Sequence, residues 1–208
     1  QLDRAERGFA FRAECPLDML FNPAGKRPTA AELVNYWDEQ ELAELFYKYG
    51  EEPQGKRLAR AIVQNRPYET TRDLAAVIER ATPRRHDDKL HPATRVFQAL
   101  RIAVNDELET VARALPEAIR LLKPGGKLAI ISFHSLEDRI VKDLFRLESS
   151  DCICPPKIPV CVCGHKAIVR LLTRKPIVAT DEEIRRNPRS RSAKLRIVEK
   201  LERVESQK

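Results

Sequence analysis

No apolar run in this 208-residue sequence approaches the roughly 20 residues that a membrane span requires, and no signal-peptide pattern opens it. A spanning or exported protein is therefore not expected, and a cytoplasmic one is. Glycine is scarce: there are seven, and only Gly125 and Gly126 are adjacent. No glycine-rich loop follows a strand, although a doubly wound α/β sheet normally needs one to hold a nucleotide-like ligand. No internal repeat is present, which argues against a solenoid or propeller. Cysteine is not spread as a disulfide framework would require. Cys15 stands alone, while Cys152, Cys154, Cys161 and Cys163 crowd into one loop.

What is present is the balance of one or two globular domains, 42% hydrophobic and 33% charged. A formal net charge of +7 and a pI near 9.3 favour a polyanionic partner, because Lys and Arg that neutralise phosphates release counterions. The first half reads as helical. Thr29 with Glu32 forms a capping-box pattern, and Asp38 with Glu41 comes close to a second. Leu42, Leu45, Phe46 and Tyr49 recur at helical spacing, with Gly50 as the expected stop. A third helix carries Leu58, Ala61 and Ile62; a fourth starts near Thr70 and ends before Pro83. The character changes at His91-Pro92. One long amphipathic segment is expected from Ala93 to about Leu122, kinked or restarted at Pro116.

A Pro-Gly-Gly turn then leads into a short apolar strand, Lys127 to Phe133, of the kind a parallel sheet covered on both faces requires. Ser135 is expected to cap a helix from Leu136 to about Leu147, with Asp138 in its first turn. Two further strands are expected over Ala167 to Val178 and Ala193 to Leu201, joined by a charged connector. The sequence thus describes a helical unit over 1–92, then half of an open α/β sheet over 93–208 with a cysteine-rich loop at 151–165.

Several blocks carry a family resemblance. Arg7-Gly8-Phe9-Ala10-Phe11-Arg12, Tyr49-Gly50-Glu51-Glu52 and His91-Pro92-Ala93-Thr94-Arg95 occur in order, followed by Leu122-Lys123-Pro124-Gly125-Gly126. The most specific are Ser132-Phe133-His134-Ser135-Leu136-Glu137-Asp138-Arg139 and Asn187-Pro188-Arg189-Ser190-Arg191-Ser192. Together they resemble the bacterial 16S rRNA cytosine-N4 methyltransferases. The resemblance implies a class I, Rossmann-like methyltransferase core with an all-helical insertion, using S-adenosylmethionine on a cytidine of the small-subunit decoding region. It implies 16S rRNA and the small ribosomal subunit as partners, with homodimerisation open. It also implies that roughly a hundred residues holding the cofactor loop precede Gln1, so that the chain alone would be inactive. In that family a glutamine before a Leu-Asp pair touches the cofactor, and Gln1 matches it.

The cytosine amine is a poor nucleophile, so it must be held in line with the methyl group and lose a proton as the bond forms. Ligands of such sheets sit beyond the carboxyl ends of strands, where Ser132, Phe133 and His134 fall. Ser132, His134 and Glu137 are the catalytic candidates, and Phe133 is a stacking surface for a splayed base or simply core. Arg185, Arg186, Arg189, Arg191, Lys194 and Arg196 form the densest basic run, either an RNA contact centred on Arg189 and Arg191 or a solvated connector. The four clustered cysteines, with His165 in reserve, suit a structural zinc, although single-residue spacing within each pair is tight; reduced thiols are the alternative. A basic, zinc-stapled RNA-binding or assembly module without catalysis remains the rival reading, as does a related methyltransferase of another RNA or of DNA.

Overall fold

The computed structural model describes residues 8, 9, 11, 14–82, 91–155 and 160–202. Gln1 lies outside them. The chain forms two compact units, Gln1–Glu107 and Leu108–Lys208. Their boundary falls after Glu107 rather than after Pro92, because the helix that follows His91-Pro92 packs into the first unit.

That unit is built from α1 (Ala30–Tyr36), α2 (Glu39–Gly50), α3 (Gly55–Gln64), α4 (Thr71–Ala81) and α5 (Ala93–Asn105). Their starts are fixed by polar chemistry. Thr29 with Glu32, Asp38 with Glu41 and Thr70 with Asp73 all close capping boxes, each satisfying N–H groups that a helix end leaves orphaned. Leu42, Leu45, Phe46, Leu58, Ile62 and Leu74 then share one apolar core with Val96, Phe97 and Leu100 of α5.

Gly50 does not act as the expected left-handed stop. It is the last residue of α2, and Glu51 takes the left-handed position at φ 47°. Glycine is required at 50 for another reason: a Cβ there would lie 2.7 Å from the Arg95 carbonyl oxygen of α5. Gly50→Ala must push two packed backbones apart. A loss of about 1–3 kcal/mol is expected, read as a lower urea midpoint with an unchanged slope.

The long amphipathic segment is two helices. It breaks at Asp106, which adopts φ 53°, and resumes as α6 (Glu107–Leu121). Pro116 sits inside α6, so the break comes ten residues before the proline. The local cause is polar: Asn105 turns its amide back to the carbonyls of Met19 and Arg101, at 2.7 and 2.9 Å.

The second unit is mixed α/β. Four strands, β1 (Lys127–Ser132), β2 (Val169–Leu171), β3 (Ile177–Val178) and β4 (Lys194–Lys200), form a small sheet in which β4 pairs with the other three. Every one of these pairings is antiparallel, not the parallel arrangement expected from β1's apolar run. One face of β1 is the better covered: Leu128 and Ile130 pack toward Val141 and Phe145 of α7 (Ser135–Glu148), while Ile131 is exposed.

The single strand expected over 167–178 is split. Leu172 and Thr173 both direct N–H groups at the Ile197 carbonyl, and Thr173 Oγ1 accepts the Ile197 N–H at 2.9 Å. The chain bulges there before pairing again at Ile177. The charged connector is also ordered. Thr180 caps α8 (Asp181–Arg186), whose acids lie at its N-terminus and whose Arg185 and Arg186 lie at its C-terminus, as the helix dipole favours. A 3₁₀ turn over Pro188–Ser192 follows. Among the described residues no helix is long and apolar enough to cross a membrane.

Candidate functional site

The two most specific sequence blocks meet at one end of the β1–β4 ladder. The register pairs Ser132 with Lys194, so the turn leaving β1 and the turn entering β4 are brought together by backbone hydrogen bonding. Sequence separation hides this; the ladder creates it.

The β1–α7 turn is tightly made. His134, not Ser135, is the N-cap of α7: its Nδ1 accepts the Glu137 N–H at 3.4 Å. Glu137 answers by accepting the N–H groups of Phe133 and His134 at 2.8 and 3.3 Å. Imidazole replaces the usual hydroxyl in an otherwise ordinary reciprocal cap. Burial opposes the Glu137 carboxylate, but the His134 side chain and the two N–H groups outweigh it and hold its pKa below the ordinary value. Ser132 is buried and its hydroxyl donates to the Lys194 carbonyl at 3.4 Å. The three catalytic candidates are therefore occupied in shaping the turn. Phe133 is different: it is 55% exposed, so it is not core.

The entering turn has the opposite polarity. Asn187 accepts the Arg189 N–H on its side chain and the Ser190 N–H and hydroxyl on its carbonyl. Ser190 is thereby buried, and Arg189 and Arg191 are left on the exposed side. Of the remaining basic run, Arg186 pairs with Glu182 on α8. Arg196 does not belong to a surface patch at all. It is buried, and its Nε and Nη2 meet both oxygens of Asp138 at 2.6 and 3.0 Å. Lys194 adds a longer contact to the same carboxylate at 3.5 Å. Asp138, expected to serve the helix cap, instead ties α7 to β4. A partial signal was available: Arg196 alternates with Val198 on one face of β4, and an arginine drawn into that buried face needs a partner.

The cysteine loop holds four sulfurs together. Cys154 and Cys161 Sγ are 4.0 Å apart, Cys161 and Cys163 3.6 Å, Cys163 and Cys152 3.9 Å, and all four lie within 4.8 Å of one another. These separations rule out disulfides, whose sulfurs sit about 2.05 Å apart. They bracket the edge of roughly 3.8 Å that a tetrahedron of sulfurs at about 2.3 Å from a central zinc would have. The N–H groups of Ile153, Cys154 and Val162 point at the sulfurs of Cys163, Cys152 and Cys154, each at 3.4 Å. Such donors stabilise thiolates. The Ile153 and His165 N–H groups draw the Cys163 thiol down to about 6. Cys152, although it accepts the Cys154 N–H, is pushed up to about 12 by the surrounding thiols. His165 is not a member of the cluster: its Nε2 lies 3.0 Å from the Leu147 carbonyl at the end of α7.

A profile of the MraW methylase family matches residues 1–201. Curated relatives carry the name "Ribosomal RNA small subunit methyltransferase H". That of Dehalococcoides mccartyi is 56% identical over 201 residues, covering 97% of this chain and 57% of the relative. That of Thermomicrobium roseum is 54% identical over 204 residues, covering 97% and 62%. That of Pelobacter propionicus is 55% identical over 205 residues, covering 97% and 65%. The chain spans 57 to 65% of the length of these relatives.

Proposed function

Because the chain belongs to the MraW methylase family, we propose that the full-length protein methylates the N4 amine of a cytidine in 16S rRNA, in the decoding region of the small subunit. S-adenosylmethionine, when bound, supplies the methyl group. The described residues include no glycine-rich turn after a strand to cradle it. The second unit is read as part of a class I core and the helical unit as an RNA-recognising insertion.

The observation that supports the reading is the Ser132–Lys194 register, which brings the turn carrying exposed Phe133 and the turn carrying exposed Arg189 and Arg191 to the same end of the β1–β4 ladder. Phe133 would stack on the splayed base, and Arg189 and Arg191 would hold the flanking phosphates. His134, Glu137 and Ser132 act as positioning residues that fix where Phe133 stands. The four clustered cysteines hold a structural zinc that orders the loop between α7 and β2; its chemistry is that of a staple, since a closed four-thiolate site leaves no position for substrate.

The test is mass spectrometry of nucleosides from 16S rRNA or small subunits treated with full-length enzyme and S-adenosylmethionine, with N4-methylcytidine expected. Unmodified RNA from folded protein overturns the proposal, and RNA binding without methylation favours the non-catalytic module. Phe133→Ala should lower kcat/KM by roughly ten- to hundredfold, the size of one base stack. Arg189→Ala with Arg191→Ala should flatten the salt dependence of RNA binding by about one to two log–log units.

A further inference from the structure

We propose a second RNA-phosphate site, in the cleft between α7 and the bulge that joins β2 to β3. The inference rests on the reading that the protein binds RNA, but on residues that reading does not use. The cleft measures about 290 Å³ and is lined by Lys142, Phe145, Arg146, Thr173, Arg174 and Arg196, together with Leu171. Four of these are cations and none is a carboxylate. It lies at the lower limit of the roughly 300 Å³ at which small-molecule pockets begin, too small for a buried cofactor.

The charges are arranged against the protein's own interest. Lys142 and Arg146 stand four residues apart on α7, where like charges face each other and destabilise a free helix. Asp138 stands four residues before Lys142 on the same helix, but Arg196 and Lys194 already engage both of its oxygens. Here Lys142 has only a 3.5 Å contact to its exposed neighbour Asp143, and neither Arg146 nor Arg174 has an ion pair among the described residues. The helix dipole accounts for Arg146 in the last turn, but not for Lys142 or for Arg174 on another element.

Arg196 forms the inner wall. Its charge is balanced by Asp138, which occupies Nε and Nη2, leaving Nη1 as a fixed donor held by a buried pair. The net field of the cleft therefore comes from three exposed cations on two elements, above an apolar floor of Phe145 and Leu171. A polyanion with regularly spaced, partly hydrated phosphates fits this better than an enclosed single anion would. RNA backbone has that chemistry.

The experiment uses the full-length protein and the variant Lys142→Ala, Arg146→Ala, Arg174→Ala, whose exposed positions spare the core. Binding of a fluorescein-labelled single-stranded oligoribonucleotide is followed by anisotropy across a salt titration. With about 0.7 log–log units per phosphate contact, the variant's slope should be shallower by about two units. Affinity at about 0.1 M salt should fall roughly a hundredfold if the curves meet near 1 M. An unchanged slope, with wild-type protein binding RNA normally, overturns the cleft. So does calorimetric binding of inorganic phosphate that the variant loses while its RNA slope stays put, since that marks a site for a free anion. If wild-type protein binds no RNA, both proposals fall. If the slope changes but no N4-methylcytidine forms, the cleft stands and the methylation reading does not.

Discussion

Asp138→Ala is expected to remove about 3–5 kcal/mol of stability from the α/β unit, the usual cost of leaving one partner of a buried ion pair unpaired. For a unit of about a hundred residues this lowers Tm by more than about 10 °C, measurable by calorimetry or near-ultraviolet circular dichroism. The cost is large because Arg196 cannot shed its proton and is buried, with apolar Phe145 lining the same cleft. Asp138 supplies two oxygens at 2.6 and 3.0 Å, a bidentate match that water entering from the cleft does not reproduce. The double variant Asp138→Leu, Arg196→Met should recover most of the loss, since no charge is then stranded. A single variant as stable as wild type would show that the guanidinium reaches solvent.

The same pair sets a pH dependence. The Arg196 guanidinium, against the opposing effect of burial, holds the Asp138 carboxyl below its ordinary value of 3.8, with Lys194 adding to the effect. A folded pKa below the unfolded one means that the unfolded chain binds the proton first. The stabilisation is thus fully present above the unfolded value and is lost as pH falls through the folded one. Acid denaturation of wild type should show this loss, and Asp138→Asn should not.

Metal removal should have the second large effect. Protein prepared without chelator is expected to carry about one zinc per chain, and Cys152→Ser with Cys161→Ser to carry none. The reason is geometric. Four sulfurs 3.6 to 4.0 Å apart along the contacts they make are too far apart to be bonded and match the edge of a zinc–thiolate tetrahedron, while the N–H groups aimed at them favour the thiolate form that a metal takes. Ile153, Val160 and Val162 are exposed, so among the described residues of the loop no apolar core orders it. A strong chelator should therefore expose four thiols to Ellman's reagent while buried Cys15 stays slow. It should also release His165 from the Leu147 carbonyl, seen as a shift of its ring resonances. Because the ligands must be deprotonated, zinc should leave progressively as pH falls. Well-folded protein that takes up no zinc after supplementation would leave these as reduced thiols.

Much of the helical unit was legible beforehand because its rules are local. A capping box spans four residues and an amphipathic stripe repeats every turn, so Thr29, Asp38 and the Leu42–Phe46 face announce themselves in order. The misreadings came where contacts are distant. Gly50 reads as a helix stop until the Arg95 carbonyl, 45 positions away, is seen to occupy the space a side chain would need. Likewise β1's apolar run suits a strand buried in a parallel sheet, yet its described partner is antiparallel β4.

By itself, then, the sequence determined the family, through blocks of side chains that need no geometry to be recognised, and most of the helix starts, through hydrogen bonds between near neighbours. Strand partners, the burial of Arg196 and the convergence of four sulfurs were decided only in three dimensions. The physical reason is common to all three. Each depends on groups many residues apart whose meeting costs chain entropy and is repaid only when the whole unit packs. His134 shows the boundary between the two cases. A histidine after a strand reads as chemistry, and only the placed ring, with Nδ1 on the Glu137 N–H, shows it holding up the turn on which Phe133 stands.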